Sequence, residues 1–239
     1  MNLIITMAGK YLRFKNAGYT TPKYLLKLSN GDSILKEVLK RLIGNYKFEK
    51  TVLIANNADV EFREQIHKTL KTSNADEYEI LFTRDTRGQA ETALLAIEAL
   101  EKSSCKSQKI LIHNIDTVLI DRDISRISQL LDEYDGYIDV FEATGKNYSY
   151  VKTDETNVIV DIKEKEVISN KATTGLYGFR NMKEFKDYYK RLQTSREHYI
   201  SFIYEMMIQD KKRIVVNQKY APTVILGTPE EYETYKNIF

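Results

Sequence analysis

The chain has 239 residues, enough for a full hydrophobic core, so one large domain is the expectation. Lys and Arg (36) nearly balance Asp and Glu (34), giving a formal charge of +2, which excludes nucleic-acid binding through bulk electrostatics. A single cysteine, Cys105, excludes an internal disulfide framework and suits a reducing compartment, and no apolar run approaches the roughly 20 residues needed to span a bilayer, so a cytoplasmic protein without membrane contact is expected.

Strand and helix signals alternate along the first half. Leu3–Ala8 is a continuous apolar run that stops at Gly9, as a strand buried on both faces would. Tyr24–Leu28 is a second short apolar segment, closed by the turn Ser29-Asn30-Gly31. Asp32 or Ser33 can cap a helix whose apolar positions, Ile34, Leu35, Val38, Leu39, Leu42 and Ile43, fall at helical spacing, and Gly44 ends it. Thr51–Ala55 is the next strand, followed by a helix through Phe62, Ile66 and Leu70. Tyr78–Phe82 is a strand, Gln89–Leu100 an amphipathic helix, and Lys109–Asn114 a strand that runs on to Asp116. This order predicts an α/β fold with a doubly wound, mostly parallel sheet, in which ligands bind beyond the carboxyl ends of the strands. Gly9, Gly88 and Asp116 fall at that edge. A buried strand entering a loop rich in backbone N–H groups and cations is a way such folds hold phosphates.

The second half reads differently. After a helix near Ile124–Leu131 come strands at Gly136–Ala143, Tyr148–Thr153, Val158–Lys165 and Ala172–Phe179. Helices are expected at Met182–Leu192 and Tyr199–Ile208, a short strand at Arg213–Val216, and a terminal helix at Pro229–Tyr235. We read residues 1–239 as one domain, with residues 1–135 mainly a nucleotide-binding half and 136–239 a smaller, antiparallel, acceptor-binding half.

Six segments in order resemble one family, the nucleotidyltransferases that activate phosphorylated sugars, also called sugar-nucleotide pyrophosphorylases. Their first loop reads A-G-x-G-x-R followed by Phe or Leu, then P-K; here it is Ala8-Gly9-Lys10-Tyr11-Leu12-Arg13-Phe14 and Pro22-Lys23. Arg87-Gly88-Gln89 resembles the segment that opens a helix beside the nucleotide, and Asn114-Ile115-Asp116 the strand-end metal aspartate. Ile162-Lys163-Glu164-Lys165, Thr174-Gly175-Leu176-Tyr177-Gly178-Phe179 and Leu226-Gly227-Thr228-Pro229-Glu230-Glu231 complete the series.

The resemblance implies transfer of NMP from an NTP to a phosphorylated small-molecule acceptor, with release of pyrophosphate and with Mg²⁺ as cofactor. Arg13, Lys23 and Asp116 would be catalytic, with Arg13 on the β/γ-phosphates, Lys23 toward the α-phosphate and Asp116 on the metal. Ala8, Gly9, Lys10, Tyr11, Gly88 and Gln89 would bind the nucleotide, and Glu164, Lys165 and Gly175 the acceptor. A stand-alone chain of this length resembles the short cytidylyltransferases of capsule and other surface-polysaccharide pathways, so CTP is the favoured donor. A dTTP- or UTP-dependent sugar-1-phosphate enzyme is the nearer alternative; a metal-dependent glycosyltransferase and a non-catalytic nucleotide sensor are further ones. A homo-oligomer is compatible with all of them.

Two departures stand out. Tyr11 replaces the second loop glycine, which suggests stacking on the base or the acceptor. Ile225 stands where many relatives carry a second metal aspartate, so Asp116 would hold the metal with phosphates alone, or another carboxylate such as Asp161 would substitute, or activity would be lost. The acceptor pocket is expected around Phe141, Tyr148–Tyr150 and Gly175–Tyr177. His113 reads as structural, and neither it nor Cys105 is assigned chemistry.

Overall fold

The computed structural model describes residues 1–44 and 46–239. In chain order its first half runs β1 (Asn2–Met7), α1 (Leu12–Asn16), a 3-10 turn at Lys23–Leu25, α2 (Ile34–Ile43), β2 (Thr51–Asn56), a 3-10 turn at Asn57–Phe62, α3 (Arg63–Thr72), β3 (Tyr78–Thr83), α4 (Gln89–Lys102) and β4 (Ile110–Asn114). The second half runs β5 (Thr117–Leu119), α5 (Ile124–Glu133), β6 (Gly136–Glu142), β7 (Ser149–Thr153), β8 (Ile159–Glu164), β9 (Lys171–Phe179), α6 (Met182–Arg191), α7 (Ile200–Gln209), β10 (Ile214–Val216), β11 (Thr223–Ile225) and α8 (Pro229–Tyr235).

The main sheet has the order β10-β6-β9-β4-β1-β2-β3, with β7 and β8 branching from β9, and β5 pairs with β11 in a separate ribbon. Strands β3, β2, β1 and β4 are parallel, whereas β9 is antiparallel to both β4 and β6. This is the doubly wound α/β architecture expected from the sequence, mixed where the second half joins. Because β1, β2, β3 and β4 point the same way, the loops after Met7, Asn56, Thr83 and Asn114 emerge at one edge.

Strand β1 lies between two cores. Leu3, Ile5 and Met7 pack into one with α2 and α5, while Ile4 and Ala8 face the other with α4, α6 and α7. Every residue of β1 is buried, which explains why its sequence shows no alternation. Burying each Leu or Ile side chain there stabilises the fold by roughly 2 kcal/mol. Helix α2 begins at Ser33, whose side chain accepts from the Lys36 amide at 3.2 Å, and its six expected apolar positions are all buried. Helix α8 begins with a reciprocal Thr228/Glu231 capping box and Pro229 in its first turn.

Three elements were not legible. Helix α1 has only five residues and no capping side chain, and β5 and β11 have three residues each, too short to show a period. Tyr24–Leu28 is entered by a 3-10 turn, not a strand. No described helix is long and apolar enough to cross a membrane.

Candidate active site

A cleft of about 560 Å³ opens at the carboxyl edge of the parallel strands, a volume suited to a small ligand. The twelve residues to which the resemblance gives a role all line it: Ala8, Gly9, Lys10, Tyr11, Arg13, Lys23, Gly88, Gln89, Asp116, Glu164, Lys165 and Gly175. They come from segments as far apart as the first loop and β9, so only the fold brings them together.

One wall is built from the loop after β1. A Cβ at Gly9 would meet nothing within 4 Å, so the missing side chain leaves open space over the backbone amides. Tyr11 adopts a left-handed conformation (φ 39°, ψ 42°), the kind of backbone that a glycine takes at no cost and that costs a tyrosine roughly 1–2 kcal/mol. The Lys15 ammonium sits 4.5 Å from its ring centroid, and the hydroxyl donates to Asp59 Oδ1 at 2.6 Å. Lys10 pairs with Asp85 at 2.7 Å, an exposed pair of small energetic weight. Arg13 is exposed and makes no side-chain hydrogen bond or ion pair among the described residues.

Lys23 crosses to the opposite side of the cleft, where its Nζ donates to Asp116 Oδ2 at 2.7 Å. Burial pushes the Asp116 carboxyl up, but the Lys23 charge and hydrogen bond outweigh it and hold the carboxyl below its usual range. Beside this pair lies Gly227. A Cβ there would be 3.5 Å from Asp116 Oδ2 and 3.5 Å from Glu231 Oε2, so two carboxylates flank a space that any side chain would fill. Glu231 also accepts from the Thr228 amide at 2.9 Å, which fixes its position. Among the described residues no group of three or more metal-ligating side chains converges. Hard oxygen donors in small number suit Mg²⁺, which keeps several waters and takes phosphate oxygens as ligands. Asp161 is not part of this arrangement: it lies on β8, outside the cleft, beside Lys163.

The floor is formed where β4 meets β9 and α4. The Gln89 amide donates to Asn114 Oδ1 and, at 3.4 Å, to Thr6 Oγ1. Asn114 in turn packs on Gly175, which has φ +88° and whose Cβ would lie 2.6 Å from Asn114 Nδ2. Gly88 has a packing reason to be glycine. With φ +148°, a Cβ there would lie 2.7 Å from the backbone N and O of His198, so the absent side chain admits the 197–199 segment.

That segment brings Glu197 and Tyr199 to the second wall. The Lys165 ammonium lies 4.5 Å from the Tyr199 ring centroid and donates to its hydroxyl. Glu164 accepts from Ser149 and, at 2.7 Å, from Ser201. Tyr148, Ser149, Gly175 and Tyr177 line the cleft as expected, but Phe141 and Tyr150 do not; Phe141 packs edge-on against Tyr148. Behind Thr174, the fully buried Asp139 accepts from Arg122, Tyr137 and Thr174, anchoring β6 to β9. His113 is buried as well, its Nε2–H donating to the Thr117 carbonyl at 2.7 Å, a structural role.

Sequence reasoning gave no role to Asp85, Asn114, Glu197, Tyr199, Ser201 and Glu231, which also line the cleft. Asn114 and Glu231 stand inside motifs already identified, and that placement was a usable signal. Tyr199 and Ser201 had none, because they sit at the start of α7, whose pattern reports only its buried face.

The sequence from residue 3 to 221 matches the family model described as nucleotidyl transferase, and the chain belongs to that family. No curated protein matches it. Among solved structures, a nucleoside-diphosphate-sugar pyrophosphorylase from Vibrio cholerae RC9 is similar over 98% of this chain and 99% of its own, at 29% identity and a TM-score of 0.86. A UDP-glucose pyrophosphorylase complexed with UDP-glucose is similar at 17% identity and TM-score 0.80, covering 99% and 97% of the two chains. The inositol-1-phosphate CTP transferase from T. maritima is similar at 17% identity and TM-score 0.78, covering 98% and 93%. At that identity the last two speak for the fold alone.

Proposed function

We propose that this member of the nucleotidyl transferase family transfers NMP from a nucleoside triphosphate to a phosphorylated, hydroxyl-bearing small molecule and releases pyrophosphate. The observation that carries the reading is the cleft itself: phosphate-type and metal-type side chains on one wall face a hydroxyl-rich wall with its own lysine on the other. An oxygen of the acceptor phosphate attacks the α-phosphorus, the bond to the bridging oxygen of the β-phosphate breaks, and the electron pair leaves with pyrophosphate. Such a reaction brings like charges together, so positioning and neutralisation supply most of the catalysis.

In this reading the open backbone at Gly9 approaches the phosphates, and exposed Arg13 grips the β/γ-phosphates with its planar fork. Lys23 leaves Asp116 for the α-phosphate as charge moves. Asp116 would hold Mg²⁺, with Glu231 facing it across Gly227; the ion supplies charge neutralisation at the phosphates. Gly88 and Gln89 lie along the base, with the Gln89 amide steadied by Asn114 and Thr6. Lys165 pairs with the acceptor phosphate, and Glu164, with Ser149 and Ser201, meets its hydroxyls.

CTP is the favoured donor on the resemblance to short cytidylyltransferases. The similarity to a nucleoside-diphosphate-sugar pyrophosphorylase favours a second reading, a UTP- or dTTP-dependent sugar-1-phosphate enzyme. Pyrophosphate release, measured with CTP, UTP, dTTP, ATP and GTP against a panel of sugar, polyol and choline phosphates with Mg²⁺, tests both. Turnover with CTP and a non-sugar phosphate supports the first, and turnover with UTP or dTTP and a hexose 1-phosphate the second. Nucleotide binding without turnover on any acceptor would sink both.

A further inference from the structure

Asp59 belongs to the 3-10 turn that follows β2, beside the loop after β1. It is 1% exposed and makes no ion pair among the described residues. Both of its oxygens are taken by phenols: Tyr11 donates to Oδ1 at 2.6 Å and Tyr24 to Oδ2 at 3.0 Å. Tyr11 opens the helix that carries Arg13, and Tyr24 directly follows Lys23. One buried carboxylate therefore joins the neighbours of both cations. Three residues upstream, Asn56 donates to the Ala8 carbonyl at 3.2 Å and to Asp85 at 3.1 Å, and Asp85 pairs with Lys10. The same turn thus braces the phosphate-loop backbone at several points.

A buried carboxylate without a cation is costly unless its hydrogen bonds are worth having, and packing alone would be served better by an apolar side chain. Burial, the shared hydrogen bonds and the Asp59 charge push both phenols well above their usual pKa, so they stay protonated as donors.

We propose that Asp59 is a positioning residue for the phosphate grip: by accepting from Tyr11 and Tyr24 together, it locks the Arg13 loop to the Lys23 segment before nucleotide binds. Tyr11 then stands in for the loop glycine by being held in a left-handed conformation, where glycine would merely be free to enter it. The inference rests on the reading of Arg13 and Lys23 given above.

The test uses Tyr11→Phe, Asp59→Asn and the double variant, with Tyr11→Gly as a second route to the loop. Tripolyphosphate with Mg²⁺ is titrated by calorimetry, trypsin cleavage after Arg13 and Lys15 reports the free loop, and thermal melting identifies any variant that fails to fold. Tyr11→Phe should weaken tripolyphosphate about ten- to a hundredfold, the size of one charge-assisted hydrogen bond, and speed loop cleavage by a similar factor in a protein that still melts cooperatively. Tyr11→Gly should behave likewise, although it restores the family residue. The double variant should be no worse than the weaker single, since both break the same bond. Wild-type affinity and cleavage in Tyr11→Phe and Tyr11→Gly, or additive losses in the double variant, would overturn the proposal. Arg13→Ala separates the two levels. If it leaves tripolyphosphate binding intact, the phosphate reading fails and Asp59's part in it with it, whereas faster cleavage in Tyr11→Phe would still show a brace on the loop.

Discussion

Lys23 and Asp116 neutralise each other across the cleft, Nζ to Oδ2 at 2.7 Å, with the lysine side chain 16% and the aspartate 29% exposed. In the proposed reaction each partner has other work, so the pair must open for a nucleotide to enter. Asp116→Asn removes the competitor for Lys23 and the metal carboxylate at once. We expect tripolyphosphate without metal to bind a few-fold more tightly, while Mg²⁺-dependent pyrophosphate release falls by about a hundredfold or more. Calorimetry without metal and the release assay give the two numbers, and a parallel fall in both would contradict the assignment.

Glu231 can be tested without disturbing its helix. Glu231→Gln keeps an oxygen that accepts from the Thr228 amide, so the fold should hold, whereas the lost charge should weaken Mn²⁺ about tenfold. Gly227→Ala puts a methyl in ordinary contact with both carboxylates and should weaken the ion in the same way. Electron paramagnetic resonance of free Mn²⁺ measures both variants directly.

Two glycines of the cleft should respond in opposite ways. Gly9→Ala meets no protein atom, so the melting temperature should stay within a degree or two while the nucleotide KM rises about tenfold. Gly88→Ala drives a Cβ against the His198 backbone at a φ that disfavours side chains, and should cost about 2 kcal/mol or more of stability. Thermal melting beside steady-state kinetics distinguishes a functional glycine from a packing one.

His113 makes the fold sensitive to acid. Burial holds its ring below the ordinary value of 6.5, outweighing the Thr117 and Gly175 backbone groups and the Asp116 and Asp139 charges that favour the proton. The unfolded chain therefore binds a proton that the folded chain refuses. Stability from this group is full above about pH 6.5 and falls as the pH drops, by up to about 1.4 kcal/mol per unit. His113→Gln, which still donates to the Thr117 carbonyl, should flatten the melting temperature between pH 7 and pH 5.

The sequence by itself determined the architecture and twelve of the residues that line the cleft. The apolar run Leu3–Ala8 fitted a strand buried on both faces, and the β-α alternation pointed to the parallel edge at which Gly9, Gly88 and Asp116 emerge. What it could not determine were relations between side chains far apart in the chain, because periodicity reports one buried face and nothing about a partner. Asp161 looked eligible to stand near Asp116, but β8 carries it away, and it is Glu231 that the α8 capping box fixes beside Gly227. Tyr11 read as a stacking residue in place of a loop glycine. Only the tertiary structure supplied Asp59, 48 residues on, to hold its hydroxyl and make a left-handed tyrosine sustainable.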